Sequence, residues 1–141
     1  MKKIEWFSKV GSLENLEVHH IMEDEVETCT LENSALAIAF KICQGHFGSI
    51  PVVDEQRTLV GLVTEFDLLR AIEHNKDLRN VKVADIMTRE VITVTEHTHV
   101  LDVIKLIQKH HLIRVPVVRE NRLLGIVARR DMILGYVVSL K

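Results

Sequence analysis

The 141-residue chain predicts an α+β protein made of two pseudo-symmetric β-α-β-β-α repeats packed sheet to sheet as one unit. Three observations predict it. The sequence repeats itself: at an offset of 65, Val18 matches Val83, Ile21-Met22 matches Ile86-Met87, Thr28 and Thr30 match Thr93 and Thr95, Leu36 matches Leu101, and Pro51-Val52-Val53 matches Pro116-Val117-Val118. After one deleted residue the offset is 64, and Leu59, Gly61, Val63 and Asp67 match Leu123, Gly125, Val127 and Asp131. Within each copy, apolar residues recur at helical spacing. The paired stretches between those helices are apolar at nearly every position, as in strands buried on both faces.

Taken in order, residues 27–30 and 91–95 carry β-branched side chains and read as the opening strand of each copy. A helix follows over 34–44, with Asn33 as its candidate cap, Gly45 as its stop, and Leu36, Ala39, Phe40 and Cys43 on one face. Its counterpart over 99–110 presents Val100, Leu101, Ile104 and Ile107. The hairpin strands are 50–53 with 59–64, and 115–118 with 123–128. The deleted residue falls in 54–58, opposite 119–122, where a hairpin turn absorbs it. A last helix starts near Glu65 or Arg129, and Ile133, Tyr136, Val137 and Leu140 keep helical spacing.

The organisation is then an N-terminal extension over 1–16, a first copy over 17–73, a linker over 74–81 and a second copy over 82–141. In the extension Ile4, Trp6, Phe7, Val10 and Leu13 are spaced to form an amphipathic turn or two, interrupted by Gly11, and suit packing on the chain's own core or on a second copy of the chain, with docking to a separate target as the alternative. A lone copy of about 60 residues is marginal and would expose an apolar sheet face, so the copies are expected to fold together. Grooves where two small sheets meet at their ends are common places to bind a small molecule.

Composition narrows the function. With 47% apolar residues a core is assured, and 18 Lys+Arg against 20 Asp+Glu argues against a general nucleic-acid binder. Glu5 and Lys9 interrupt any signal-peptide apolar stretch, and no run approaches the length of a membrane span, so the expected location is the cytoplasm. Cys29 and Cys43, 14 apart, are expected to be free, mostly buried thiols. His19-His20, His97-Thr98-His99 and His110-His111 lack metal-ligand spacing and read as turn or surface residues; no metal site is expected. There is no nucleophile elbow, P-loop lysine motif or GxGxxG fingerprint, so the chain is not read as an enzyme.

Several marks recur in order in both copies. They are Val18-His19-His20-Ile21-Met22 and Val83-Ala84-Asp85-Ile86-Met87, then Ile50-Pro51-Val52-Val53-Asp54 and Val115-Pro116-Val117-Val118, then Gly61-Leu62-Val63-Thr64-Glu65-Phe66-Asp67 and Gly125-Ile126-Val127-Ala128-Arg129-Arg130-Asp131. Over 17–136 this resembles a tandem pair of cystathionine-β-synthase (CBS) domains, the Bateman module. The resemblance implies a regulatory, energy- or metabolite-sensing module that binds an adenine nucleotide (AMP, ADP or ATP) between the two domains. It also implies pairing into disc-shaped homodimers and signalling to an unidentified protein target through a conformational or dimer change. S-adenosylmethionine is the alternative ligand, and an interaction module with degenerate sites is the alternative function.

The motif positions set the site expectations. Asp67 and Asp131 match the family's ribose-binding Asp, where a carboxylate can accept from two neighbouring hydroxyls; capping the helix start is the other reading of both. Thr64 adds a hydroxyl that can cap the helix and also face a ribose or phosphate, and Ala128 removes it from the second copy, which puts the Asp131 site in doubt. Arg114 stands where related modules place a phosphate-binding Arg, with Arg129 and Arg130 as further phosphate candidates or solvated helix-start residues. The resemblance puts adenine beside the first strands, at Thr28, Cys29 and Thr30 and at Thr93, Val94 and Thr95.

Overall fold

The computed structural model describes residues 12–45 and 47–140, so most of the N-terminal amphipathic pattern (Ile4, Trp6, Phe7 and Val10) lies outside the described residues. Ten helices and strands are used below: α1 Val18–Ile21, α2 Ala35–Gly45, β1 Ser49–Val53, β2 Leu59–Thr64, α3 Glu65–Glu73, α4 Val83–Ile86, α5 Val100–His110, β3 Arg114–Arg119, β4 Arg122–Ala128 and α6 Arg129–Ser139. Short 3-10 turns at Leu13–Asn15 and Leu78–Asn80 complete them.

The chain divides into two compact units that cut across the sequence copies. One joins the segment ending at Val26 to Ile92–Glu120 and to the segment from Leu124 onward; the other comprises Glu27–Val91 with Asn121–Leu123. The short helix that opens each copy is thus part of the unit built on the other copy. In the second-copy unit, Val18 N–H donates to the Thr98 carbonyl (2.9 Å), and Glu23 pairs with Ile126 on β4. In the first-copy unit, Val83 N–H donates to the Asn33 carbonyl (2.8 Å), and Thr88 pairs with Leu62 on β2. Two glycines of the repeated motif make these pairings possible. A Cβ on Gly61 would lie 2.5 Å from Met87 Sδ, and one on Gly125 would lie 2.6 Å from the Glu23 carbonyl oxygen.

Each unit has a two-stranded antiparallel sheet, β1-β2 or β3-β4. The first-copy ladder runs from Ser49↔Thr64 to Val53↔Leu59 with an irregularity at Val52/Val53. Its loop is closed by Asp54 Oδ1, which accepts from the N–H groups of Gln56 (2.9 Å) and Thr58 (2.8 Å), with Arg57 at φ 65°. The second hairpin turns through Glu120 (φ 49°) and Asn121 (φ 67°), a two-residue turn matched to strand twist, which is where the deleted residue was expected. The expected opening strands shrink to single parallel bridges, Cys29 to Val52 and Val94 to Val117. Cys29 makes both backbone bonds to β1, from its N–H to Pro51 O (3.0 Å) and from Val53 N–H to its carbonyl (2.9 Å), and the neighbouring residues make no ladder.

The buried apolar side chains gather into one cluster per unit: Cys29, Ala35, Ile38, Ile42, Ile50, Val52, Val63, Leu68, Val83 and Met87 in one, and Leu16, Val18, Ile21, Val94, Val100, Val103, Ile107, Val115, Val117, Val127, Met132 and Val138 in the other. The expected face and the expected cap of α2 are corrected. Helix α2 buries Ala35, Ile38 and Ile42, whereas Phe40 and Cys43 are exposed; its sequence is apolar nearly all round, so periodicity alone does not choose the face. Its cap is Ser34, whose Oγ accepts from Ala37 N–H (3.1 Å), while Asn33 Oδ1 accepts from Thr30 N–H instead (2.8 Å). On α6 the buried positions are Met132, Gly135 and Val138, and the apolar residues Ile133, Tyr136, Val137 and Leu140 point outward. Helix α3 likewise exposes Phe66, Leu69 and Ile72.

Candidate functional site

Both motif aspartates sit three residues into a helix that leaves its sheet directly, and the two junctions have the same backbone. Thr64 has φ −110° and ψ 165°, and Ala128 has φ −111° and ψ 164°. In each, the preceding N–H donates to the aspartate Oδ2 at 2.8 Å, Thr64 N to Asp67 and Ala128 N to Asp131. This is the acidic half of a capping box, and the helix dipole favours it.

Beyond that bond the two carboxylates differ. Asp67 is 3% exposed. The Thr88 hydroxyl donates to both its oxygens (3.0 and 3.1 Å), Arg70 Nη1 lies 3.3 Å from Oδ1, and Asp67 N–H donates back to Thr64 Oγ1 (3.2 Å). The Thr64 hydroxyl thus makes the cap bond expected of it. Asp67 is at the edge of a cleft of about 280 Å³ within the first-copy unit, lined also by Arg70, His74, Lys76 and Asp85. Sequence reasoning missed Arg70 and Thr88. Arg70 was detectable, three residues past Asp67 and on the same helix face. Thr88 carried no signal, being 21 residues away and adjacent only through the exchanged helix.

Asp131 is half-buried and has Arg114 as its charged neighbour. Burial pulls the Arg114 guanidinium below its ordinary value and the Asp131 charge pushes it back up, so it remains a cation at neutral pH. The position corresponding to Thr88 is Glu23, which is exposed and whose Oε1 accepts from Glu25 N–H (3.2 Å). Arg129 is exposed and borders an apolar groove of about 350 Å³ with Leu13, Ile104, Met132, Ile133 and Tyr136; its N–H donates to the Ile113 carbonyl (3.0 Å). Arg130 is exposed one residue on.

Of the residues expected around adenine, Cys29 and Val94 turn into the two cores, and burial pushes the Cys29 thiol up to about 11. Thr28 and Thr93 are half-buried, and Thr30 and Thr95 are exposed. Thr95 N–H donates to Thr98 Oγ1 (3.1 Å), and the two hydroxyl oxygens lie 3.2 Å apart. Cys43 corrects the expectation of buried thiols, being exposed.

The histidines also regroup. Glu17 Oε1 accepts from His19 Nε2 (2.9 Å) and His97 Nδ1 (3.1 Å), which joins two of the three histidine clusters. These bonds hold the Glu17 carboxyl below the usual carboxylate range.

Two units of one repeated design, each with a helix-start aspartate on a two-stranded sheet, define a tandem-repeat α+β protein. The chain belongs to the CBS domain family, whose model matches residues 18–74 and 83–137. It is 37% identical over 120 residues to the uncharacterized protein YlbB of Bacillus subtilis, covering 84% of this chain and 80% of that one. Other curated relatives are longer, and the chain spans 63% of one and 42% of another. Among solved structures, the CBS domain pair of protein MJ0100, in complex with 5-methylthioadenosine and S-adenosyl-L-methionine, is 31% identical with a TM-score of 0.74, covering 84% of this chain and 94% of that one. CBSX2 in complex with AMP shares the fold at 24% identity and a TM-score of 0.79, covering 89% and 98%. Among the described residues, no helix is long and apolar enough to cross a membrane.

Proposed function

We propose that the chain is a non-enzymatic regulatory module that binds an adenosine-bearing small molecule and passes its occupancy to an attached or separate protein. The observation that carries this reading is the pairing of Arg114 with Asp131 at one sheet-to-helix junction. A half-buried cation and a carboxylate acceptor are the two groups needed for a phosphate and a ribose diol. The ligands of the MJ0100 pair, at 31% identity, support the adenosine class. In this reading Asp131 accepts the ribose hydroxyls, Arg114 meets the phosphate with Arg129 and Arg130 adding positive charge, and the backbones around Thr93 and Thr95 flank the base. Asp67 and Thr64, with Thr28 and Thr30, form the corresponding site of the first copy, which opens only when Thr88 and Arg70 release the carboxylate. The exposed stripes Phe66, Leu69, Ile72 and Ile133, Tyr136, Val137 support pairing with a second copy of the chain, whose geometry the ligand would bias by its difference in affinity between states.

Calorimetry of the full chain with AMP, ADP, ATP and S-adenosylmethionine tests the reading. A saturable isotherm for at least one, weakened about ten- to hundredfold by Asp131→Ala, is the expected result. The engaged state of Asp67 favours a second reading, an interaction module with degenerate sites. Four flat isotherms would establish that reading and remove the first.

A further inference from the structure

We propose that Glu17, His19 and His97 form a divalent transition-metal site within the second-copy unit, with Zn²⁺ the best-matched ion. Their three donor atoms lie within 4.8 Å of one another. Glu17 Oε1 is 2.9 Å from His19 Nε2 and 3.1 Å from His97 Nδ1. In a tetrahedral zinc site with bonds of about 2.0–2.2 Å, donor atoms stand about 3.3–3.6 Å apart, so the two Glu17 contacts open by about half an ångström and the rings turn to aim at an ion that replaces the shared hydrogens. Two imidazoles and one carboxylate suit zinc better than magnesium or calcium, which prefer an all-oxygen shell. Three protein ligands leave a fourth position for water.

The backbone holds these ligands in place before any ion arrives. Val18 N–H donates to Thr98 O (2.9 Å), His19 N–H to Glu96 O (3.0 Å), and Val100 N–H to Leu16 O (2.9 Å), stitching the segment that carries Glu17 and His19 to the loop that carries His97. His20 Nδ1 accepts from Glu17 N–H (3.0 Å), which fixes the backbone of the carboxylate ligand. Outside the cluster, Glu96 is gripped by Arg119 through Nε (2.7 Å) and Nη2, and its Oε1 lies 3.9 Å from His97 Nε2. At that distance Glu96 adds negative charge near the His97 ring without a hydrogen bond to it. Glu17 and His19 are half-buried and His97 is exposed, so the site has both a fixed floor and an open approach.

A bound ion would tie together residues 80 apart in sequence and clamp α1 onto the second copy. Because it binds the folded form, it raises stability by mass action. The inference is independent of the adenosine reading, since none of its ligands is used there.

The test is titration of the chelator-stripped 141-residue chain with zinc chloride by calorimetry, with Co²⁺ absorption reporting coordination. Expected are one ion per chain, a rise in melting temperature, and at least tenfold weaker binding for His97→Ala, with His110→Ala unchanged. Since His97 is exposed, its variant should fold; Glu17→Gln, nearly isosteric, is the second variant and should weaken binding likewise. Absence of saturable binding near one ion per chain, or wild-type affinity in both variants, would overturn the site.

Discussion

The starts of α3 and α6 have the same backbone and the same motif aspartate, yet one carboxylate is buried and the other half-buried. At α3, Asp67 is buried under the Thr88 hydroxyl and Arg70. At α6, the corresponding positions carry Glu23 and Leu134, and Asp131 faces Arg114 where the other copy has Ser49. At one junction the acid is engaged by internal donors. Its twin keeps a half-buried acid beside a cation. A repeated motif therefore fixes where a carboxylate stands but not what it is free to accept, because the deciding neighbours come from positions outside the motif.

The sharpest way to break this comparison is to remove each acid. Asp67→Ala strips a buried capping carboxylate and orphans the Thr88 hydroxyl and Thr64 N–H, for an expected loss of about 3 kcal/mol. Asp131→Ala should cost only about 1 kcal/mol. Urea denaturation of both variants decides, and equal losses would erase the distinction. Next in size is the ligand effect. Arg114→Ala should weaken AMP about tenfold or more while leaving 5-methylthioadenosine, which has no phosphate, within about twofold in calorimetry. Parallel losses for the two ligands would take the phosphate away from Arg114.

Smaller effects come from exchanging the caps. Thr64→Ala should cost about 1 kcal/mol, and Ala128→Thr should gain somewhat less by supplying the capping hydroxyl that the first copy has, both measurable as shifts of the denaturation midpoint. A loss of stability in Ala128→Thr would mean that the junctions differ in more than side chains. The cysteines offer the mildest test. At pH 8 a thiol reagent should modify the exposed Cys43 promptly and Cys29 only on unfolding, giving one equivalent per native chain. The folded Cys29 thiol, raised from 9.0 to about 11, adds stability that is intact below pH 9 and is lost as pH rises towards 11, because the unfolded chain ionises first. A native protein that labels at both positions would contradict that burial.

The sequence made the hairpins legible to within a residue, because fully apolar strands flank a polar loop whose length differs by one between copies. Both sheet-to-helix junctions were legible as well, through Gly61 to Asp67 and Gly125 to Asp131. The buried face of α2 was not, since Ala35, Leu36, Ile38, Ala39, Phe40 and Ile42 surround its axis. The closure of Asp67 was equally hidden, because Thr88 reaches it only through the exchange of short helices. Repetition reports the order of elements along the chain and is silent about which copy each of them joins in space. The Glu17, His19 and His97 cluster was invisible for the same reason.

That exchange has a bearing on descent. A gene encoding one copy alone would make a protein whose leading helix finds its seat only on another molecule. Two such molecules could complete each other, each lending four helical residues and receiving four. Fusing two such genes converts a concentration-dependent handshake into an intramolecular one, and severing the fused chain within 74–81 should yield two fragments that refold only when mixed.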